Sequence, residues 1–191
     1  MAVIRAFPRT RGPREASSLD ESSRVKRFET IFAAHLDAAY NFARWLTRDE
    51  RNAEDVTQEA LLRAFRFLDS FEGDNGRAWL LGIVRNTYYT WLKRNQVSAH
   101  SVPLDEESLE VEDGNSVERL LQEKDAKRVI DAALERLPEE FREVIVLREL
   151  EDLSYKEIAA VAGIPLGTVM SRLARARKLL LQCLQPARQE S

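Results

Sequence analysis

Apolar residues in this sequence return every three to four positions, block after block, and that spacing sorts the chain into helices. Phe32, Leu36, Ala39/Tyr40, Ala43 and Leu46 form one stripe, and Val56, Ala60, Ala64, Leu68 and Phe71 a second. Trp79/Leu80, Ile83/Val84, Thr87/Tyr88 and Trp91/Leu92 give a third, broader one. Each stripe lets a helix bury one side against its neighbours. The second opens at Asn52 with Asp55 three residues on, a capping-box-like start. Further along, Val117, Leu120/Leu121, Val129, Ala133 and Leu137 make a helix that Pro138 ends or turns, and Phe141, Val144, Ile145 and Leu147 make the next. No alternating run bounded by hairpin turns interrupts the pattern, so the expected fold class is all-α.

Charge divides the chain where periodicity fades. The 191 residues carry 29 Lys+Arg and 32 Asp+Glu, a formal net charge of −3, which on its own points away from nucleic acid as a partner. Its distribution says otherwise. Residues 1–27 stand at +4 with two prolines and read as a basic, disordered arm. Residues 28–97 stand at −1 on a strongly periodic background and read as a folded domain, three amphipathic helices closing one bundle. Residues 98–118 hold seven acids and no Lys or Arg, together with Pro103 and Gly114, and read as a flexible acidic linker at −7. Residues 119–185 read as a second, smaller helical domain and 186–191 as a tail, at +1 together. Two small domains on such a linker would hold no fixed spacing by themselves.

Several classes of function are disfavoured. The longest apolar stretch, residues 78–84, is seven residues long, far short of the roughly 20 that cross a bilayer. Cys183 with His35 and His100 cannot build a disulfide framework or a Cys/His zinc site within one chain, so no metal site is expected. The arginines near the start are not followed by an apolar segment of the secretory kind, and a cytoplasmic location is expected. No Gly-rich phosphate loop or nucleophile–base pair stands at motif spacing; Glu139-Glu140 reads as a helix start. An enzyme is not expected, nor a cofactor.

The most specific signal lies near the end. Ser154-Tyr155-Lys156-Glu157 is a capping box opening a short helix through Ile158, Ala159 and Val161. Gly163 can then take a positive φ, and Pro165 sits where a further helix begins. Short helix, glycine turn and second helix make a helix-turn-helix. The second helix carries Arg172, Arg175, Arg177 and Lys178, with no acid between Ile158 and Gln189. Val169, Leu173, Ala176 and Leu180 face the core, leaving Ser171, Arg172 and Arg175 outward in the half that enters a major groove, where arginine forks read guanine.

The strings Leu137-Pro138-Glu139-Glu140-Phe141-Arg142-Glu143-Val144, Leu153-Ser154-Tyr155-Lys156-Glu157-Ile158-Ala159 and Gly163 through Leu173 closely resemble the promoter −35-binding domain of extracytoplasmic-function sigma factors of the sigma-70 family. Independently, Ala53 through Glu59, then Phe65 and Asp69-Ser70-Phe71, resemble that family's core-polymerase-binding helix, and Arg77-Ala78-Trp79-Leu80 through Thr87 its −10 element helix. The resemblance implies sigma region 2 over 28–97 and sigma region 4 over 119–185. It implies an alternative sigma factor whose partners are core RNA polymerase, through the β′ clamp coiled coil and the β subunit, promoter DNA, and an anti-sigma factor.

By the same resemblance, Asp55, Gln58 and Glu59 dock on the β′ coiled coil, and their i, i+3, i+4 spacing puts them on one helix face. Asn75, Arg77, Asn86, Tyr89, Lys93 and Arg94 attend the −10 element and strand opening, which needs aromatic faces beside positive charge. Thr168, Ser171, Arg172, Arg175, Arg177 and Lys178 contact the −35 element. Met170 stands where many relatives place Lys or Arg, and Ala174 where some place a bulkier residue, so readout leans on the remaining arginines. Some readings stay open. Trp79 is core or a strand contact; the acidic linker mimics nucleic acid in the polymerase channel or is a solvated spacer; the arm is an extra contact or only a disordered start. A stand-alone helix-turn-helix regulator, with residues 28–97 sensing or dimerising, is the competing function.

Overall fold

Asp49, at the first turn after a long apolar stripe, shows how local chemistry punctuates this chain. Arg48 closes the preceding helix in the left-handed conformation (φ 60°) with its N–H on the Arg44 carbonyl, and the Asp49 carboxylate accepts from the Asn52 N–H at 2.7 Å. The expected capping box at Asn52 is thereby corrected: Asp49 caps, and Asn52 lies inside the helix as the donor.

The computed structural model describes residues 21–98 and 128–184, and every regular element among them is helical. Helix α1 is Glu21–Phe32, followed by a 3-10 turn Ala33–His35; α2 is Leu36–Thr47, α3 Glu50–Arg66 and α4 Gly76–Ser98. Helix α5 runs over residues 128–135. Helix α6, Glu139–Ile145, widens into a π turn Val146–Leu150, and α7, Tyr155–Ala162, and α8, Leu166–Leu184, complete the chain. The linker 98–118 beyond Ser98, the stripe positions Val117, Leu120 and Leu121, and the tail 186–191 lie outside the described residues.

The boundary of the basic arm needs correction. Residues 21–27, expected in a disordered arm, are the first turns of α1. Phe28 anchors this helix by meeting Phe32 at 5.0 Å and Phe65 at 5.6 Å between ring centroids, and Arg24 lies over the Phe65 ring while pairing with Asp69 at 3.4 Å. Residues 1–20 lie outside the described residues.

Helices α1 to α4, with the 3-10 turn Leu68–Ser70 between the last two, bury Phe32, Phe42, Leu46, Val56, Leu68, Leu80, Leu81 and Val84. Each such side chain contributes about 1.5–3 kcal/mol by leaving water. Trp79 joins this packing, stacked on Phe32 and edge-on to Phe71, both at 5.3 Å. Gly76 starts α4 where a Cβ would come within 2.8 Å of Ile31 Cγ2, so the end of α1 and the start of α4 approach this closely only over a glycine. In the second half Leu137, Ile145, Leu147, Ile158, Val169 and Leu173 are buried. Val129, expected in the core stripe, is 56% exposed, and the buried run begins at Ala133.

The two halves do not stand apart. One apolar cluster runs from Leu80, Val84 and Tyr88 into Leu147, Ile158, Val161 and Leu173. Helix α4 packs along α7, and α2 against α6. Trp45 of α2 reaches the smaller cluster of Leu134, Leu137, Ile145 and Ala176, and Arg48 Nη2 donates to the Leu137 carbonyl at 3.3 Å. Freely spaced domains were expected; here they share a seam.

Candidate nucleic-acid interface

The C-terminal surface begins with its cap. The Ser154 hydroxyl accepts from the Glu157 N–H at 3.3 Å, and the Glu157 carboxylate accepts from the Ser154 N–H at 2.6 Å, so two donors at the start of α7 are satisfied reciprocally. Gly163 ends α7 at φ +65°. The Pro165 carbonyl then receives the Thr168 and Val169 N–H groups at 2.9 and 3.1 Å, launching α8 after a turn of 101° between the two helix axes. This is helix-turn-helix geometry.

On α8, Val169, Leu173 and Ala176 are buried, while Met170, Ser171, Ala174, Arg175 and Lys178 are exposed and Thr168 is half-buried. Leu180 is half-buried against the smaller cluster. Arg175 and Lys178 border a shallow groove with Phe141 and Leu179. The other two arginines are engaged. Arg172 pairs with Glu140 of α6 at 2.8 Å, and Arg177 donates twice to Glu149, at 2.7 and 3.1 Å. The Ser171 hydroxyl donates to the Thr168 carbonyl at 3.1 Å. Arg175 and Lys178 therefore reach solvent directly, and Arg172 and Arg177 are oriented by carboxylates that a DNA phosphate would have to replace.

Helix α4 presents the second group. The Asn75 side-chain oxygen accepts from the Ala78 N–H at 2.9 Å and caps the helix, while its amide nitrogen donates across the seam to Glu157. Arg77 pairs with Glu151, and Arg85 with Glu143. The Tyr89 hydroxyl donates to Glu143 at 3.4 Å, and the Arg85 guanidinium lies 4.6 Å from the Tyr89 ring centroid. Asn75, Arg77 and Tyr89 thus each reach a different glutamate of the second half, spread along α4, with Arg77 and Tyr89 half-buried and Asn75 exposed. Asn86, Lys93 and Arg94 are exposed and pair with no group of the second half among the described residues. Tyr88 is 5% exposed and packs beside Tyr89 and Trp91, so it and Trp79 serve packing more than strand contact.

Burial sets the electrostatics here. It pushes the Glu143 carboxyl above the usual carboxylate range, although Arg85 pulls the other way. Burial first and Glu143 second push the Tyr89 hydroxyl far up, and burial lifts Tyr88 to about 12. Burial also lowers Arg142, whose guanidinium donates to the Glu135 and Leu137 carbonyls at 3.4 Å as they close α5.

Sequence reasoning sets Arg85 beside Arg77, Lys93 and Arg94 as positive charge on the third helix, and passes over its partner Glu143 and the Arg77 partner Glu151. Glu139, Glu140 and Glu143 on one short helix were the available signal, because three carboxylates there exceed what a helix start requires.

On α3, Asp55 and Gln58 are exposed, and Glu59 is held by Arg63 at 2.7 Å. Leu62, 63% exposed, extends the same face by one turn as an uncovered apolar side chain that the sequence reading did not single out.

Residues 31–97 match the family model of sigma-70 region 2, and residues 127–180 that of sigma-70 region 4. The ECF RNA polymerase sigma-E factor of Escherichia coli strain K12 is 38% identical over 140 residues, covering 69% of this chain and 73% of that protein. The ECF RNA polymerase sigma factor SigE of Mycolicibacterium smegmatis is 32% identical over 161 residues, 84% of this chain; the chain spans 62% of that longer relative. Among solved structures, the sigma factor RpoE in complex with the anti-sigma factor NepR from Bartonella quintana superposes with a TM-score of 0.69 at 32% identity, over 85% of this chain and 99% of that one. CnrH in complex with the cytosolic domain of CnrY superposes with a TM-score of 0.60 at 27% identity, over 85% and 90%.

Proposed function

This chain belongs to the extracytoplasmic-function sigma factors of the sigma-70 family, and on that premise we propose that it binds core RNA polymerase and directs it to promoter DNA. Members of this family are polymerase subunits with no catalytic centre of their own. The observation that carries the reading is the order of two matched regions on one chain, the first over α2 to α4 and the second over α5 to α8.

In this reading region 2 spans 28–97, joined by α1, and region 4 spans 119–185. The exposed face of Asp55, Gln58 and Leu62, with Glu59 beside it, docks on the β′ clamp coiled coil. Arg175 and Lys178 approach the −35 element first, and Thr168, Ser171, Arg172 and Arg177 complete the contact. Asn86, Lys93 and Arg94 meet the −10 region as the factor stands, and Asn75, Arg77 and Tyr89 join them once the seam between the halves parts. An anti-sigma factor controls the protein, a reading supported by likeness to a sigma factor solved with its anti-sigma partner. Among the described residues no single helix is long and apolar enough to cross a membrane. The place of work in this reading is the cytoplasm, where the polymerase meets its promoters.

Run-off transcription with purified core polymerase tests the proposal. Transcripts that require both the core enzyme and this chain are expected. Tight, specific binding to duplex DNA with no stimulation of core polymerase would instead identify a stand-alone regulator.

A further inference from the structure

The outward face of α8 has a chemistry that the arginines around it do not share. Gly167, Met170, Ser171 and Ala174 follow one another at i, i+3, i+4 and i+7, and so lie side by side over the first turns of the helix. All four are exposed and none is charged. The one hydroxyl among them, that of Ser171, is spent on the Thr168 carbonyl. Met170 is 54% exposed and Leu166, one turn earlier, is 42% exposed, and neither joins an apolar cluster of the fold. Positive charge resumes one turn further along, at Arg175 and Lys178, and no acid occurs between Ile158 and Gln189.

Set in a major groove by those two cations, the uncharged face meets base edges rather than phosphates. Those edges carry hydrogen-bond donors and acceptors, and the apolar group among them is the C5-methyl of thymine. Against a polar edge Met170 would strip water from a donor or acceptor and return no hydrogen bond. Against thymine it buries apolar surface on apolar surface, and its unbranched thioether adapts to the contour. Gly167 points the same way. A Cβ there would meet nothing within 4 Å, and glycine inside a helix is less stable than alanine, so packing within the chain does not call for it. Its bare backbone leaves room for a base edge beside Met170.

We propose that Met170 is a specificity-determining residue of the −35 contact, reading the C5-methyl of a thymine, with Gly167 and Ala174 clearing its approach. The inference rests on the sigma-factor reading and deepens it, by naming a base that the promoter presents to this chain. The side chains of α8 divide the work: Arg175 takes a hydrogen-bonding edge, Lys178 a phosphate, and Met170 the methyl group that neither can sense. A cation at position 170 would grip the phosphates of any sequence. Methionine gives up that general attraction and gains selectivity, since its contact exists only where the methyl does.

The test uses core polymerase carrying the full chain, and duplex promoter fragments that this holoenzyme selects from a pool randomised over the −35 region. Each thymine of the selected element is replaced in turn by uracil, which keeps the base pair and removes only the methyl group. At one position uracil is expected to weaken binding about fourfold, the equivalent in affinity of one methyl-sized group left unburied. Met170→Ala, an exposed substitution that leaves the fold intact, is expected to weaken the thymine fragment by at least that factor and to bind thymine and uracil alike. Gly167→Ala is expected to weaken all selected fragments without lowering the urea midpoint. A selected element with no thymine on either strand, uracil tolerated at every position, or thymine–uracil discrimination that survives Met170→Ala overturns the contact. Unchanged affinity in Gly167→Ala counts against the close approach on which the contact depends. Run-off transcription, measured in parallel, keeps the two readings apart. No transcript with core polymerase counts against the sigma-factor reading, whereas normal transcription with uracil tolerated throughout counts against the Met170 contact alone.

Discussion

The Glu143 carboxylate of α6, 1% exposed, accepts the Arg85 guanidinium of α4, itself 18% exposed, across 58 residues of sequence. Removing one member of a buried hydrogen-bonded pair costs about 1–3 kcal/mol when the other is left without a partner. Glu143→Ala is expected to fall within that range and short of the extreme for a trapped charge, because Arg85 regains water when the halves part. A double-mutant cycle with Arg85→Ala, read by urea unfolding, should return a coupling above about 0.5 kcal/mol. Strict additivity would show that the two side chains act independently.

The turn between α7 and α8 rests on two backbone devices. Ser154→Ala removes the acceptor for the Glu157 N–H and should cost about 1 kcal/mol. Gly163→Ala forces a β-carbon into the left-handed region at φ +65° and should cost about 1–2 kcal/mol. Gly163→Asn should cost less than Gly163→Ala, since Asn tolerates that conformation. Denaturant midpoints of the three variants check the order.

Arg175 and Lys178 should separate base reading from phosphate contact. Arg175→Ala is expected to lose about 1–3 kcal/mol at the specific −35 sequence and little elsewhere, as for a fork on guanine. Lys178→Ala is expected to weaken all sequences alike and reduce the slope of log affinity against log salt by about 0.9. Holoenzyme binding to matched and mismatched promoter fragments over a salt series distinguishes them, and a uniform loss for Arg175→Ala would reassign it to the backbone.

Core binding is expected to fail before folding does on α3. Asp55 and Gln58 are exposed, so Asp55→Lys should change stability by no more than about 0.5 kcal/mol. A reversed charge facing a basic partner should nonetheless weaken association with core polymerase by about tenfold or more. Competition against the wild-type chain for limiting core enzyme measures it.

Acid should act on the capping box in a definite direction. The Glu157 carboxyl is held below its ordinary value of 4.5, chiefly by the hydrogen bonds at Ser154, with Asn75 and Arg77 adding to them. A depressed carboxylate contributes stability that is complete above the unfolded value and is lost as pH falls through the folded one. Glu157→Gln should therefore lose stability at neutral pH and show a shallower decline below about pH 4.5 than the wild type. Glu143 opposes this, since a carboxyl raised by burial favours the folded form as pH falls. The difference between wild type and Glu157→Gln isolates the cap. Parallel acid limbs for the two proteins would remove Glu157 from the account.

Local signals were legible and distant ones were not. The helical period, the Ser154 box and the Gly163 turn are short-range patterns whose chemistry is complete within a few residues, and the helices follow them. Asn52 was mistaken for a cap because Asp49, three residues earlier, offers the same side-chain oxygen one turn sooner. Trp79 could not be assigned by period alone, since a core ring and a stacking platform occupy the same stripe; Phe32 and Phe71 decide it. The seam was illegible for a physical reason. Arg77 meets Glu151 across 74 residues and Asn75 meets Glu157 across 82, and a charged side chain paired across a domain boundary leaves the same mark in a sequence as one facing water. Of the candidate site residues, Asp55, Gln58, Arg175 and Lys178 lie on open faces, while Arg77 and Tyr89 are half-buried against the other half, a distinction that requires both halves in view.

Trp45 gives this molecule an intrinsic optical gauge. Its indole, carried by α2, packs against the cluster of Leu134, Leu137, Ile145 and Ala176 as well as the larger one, whereas Trp79 stacks on Phe32 and Phe71 of the first bundle. Parting the halves would expose the first indole further and leave the surroundings of the second, half-buried one unchanged. With Trp91, the third tryptophan, replaced by Phe, the change in emission of Trp45 over that of Trp79 reports closure in real time, and titrating DNA or polymerase against it converts a red shift into an opening constant.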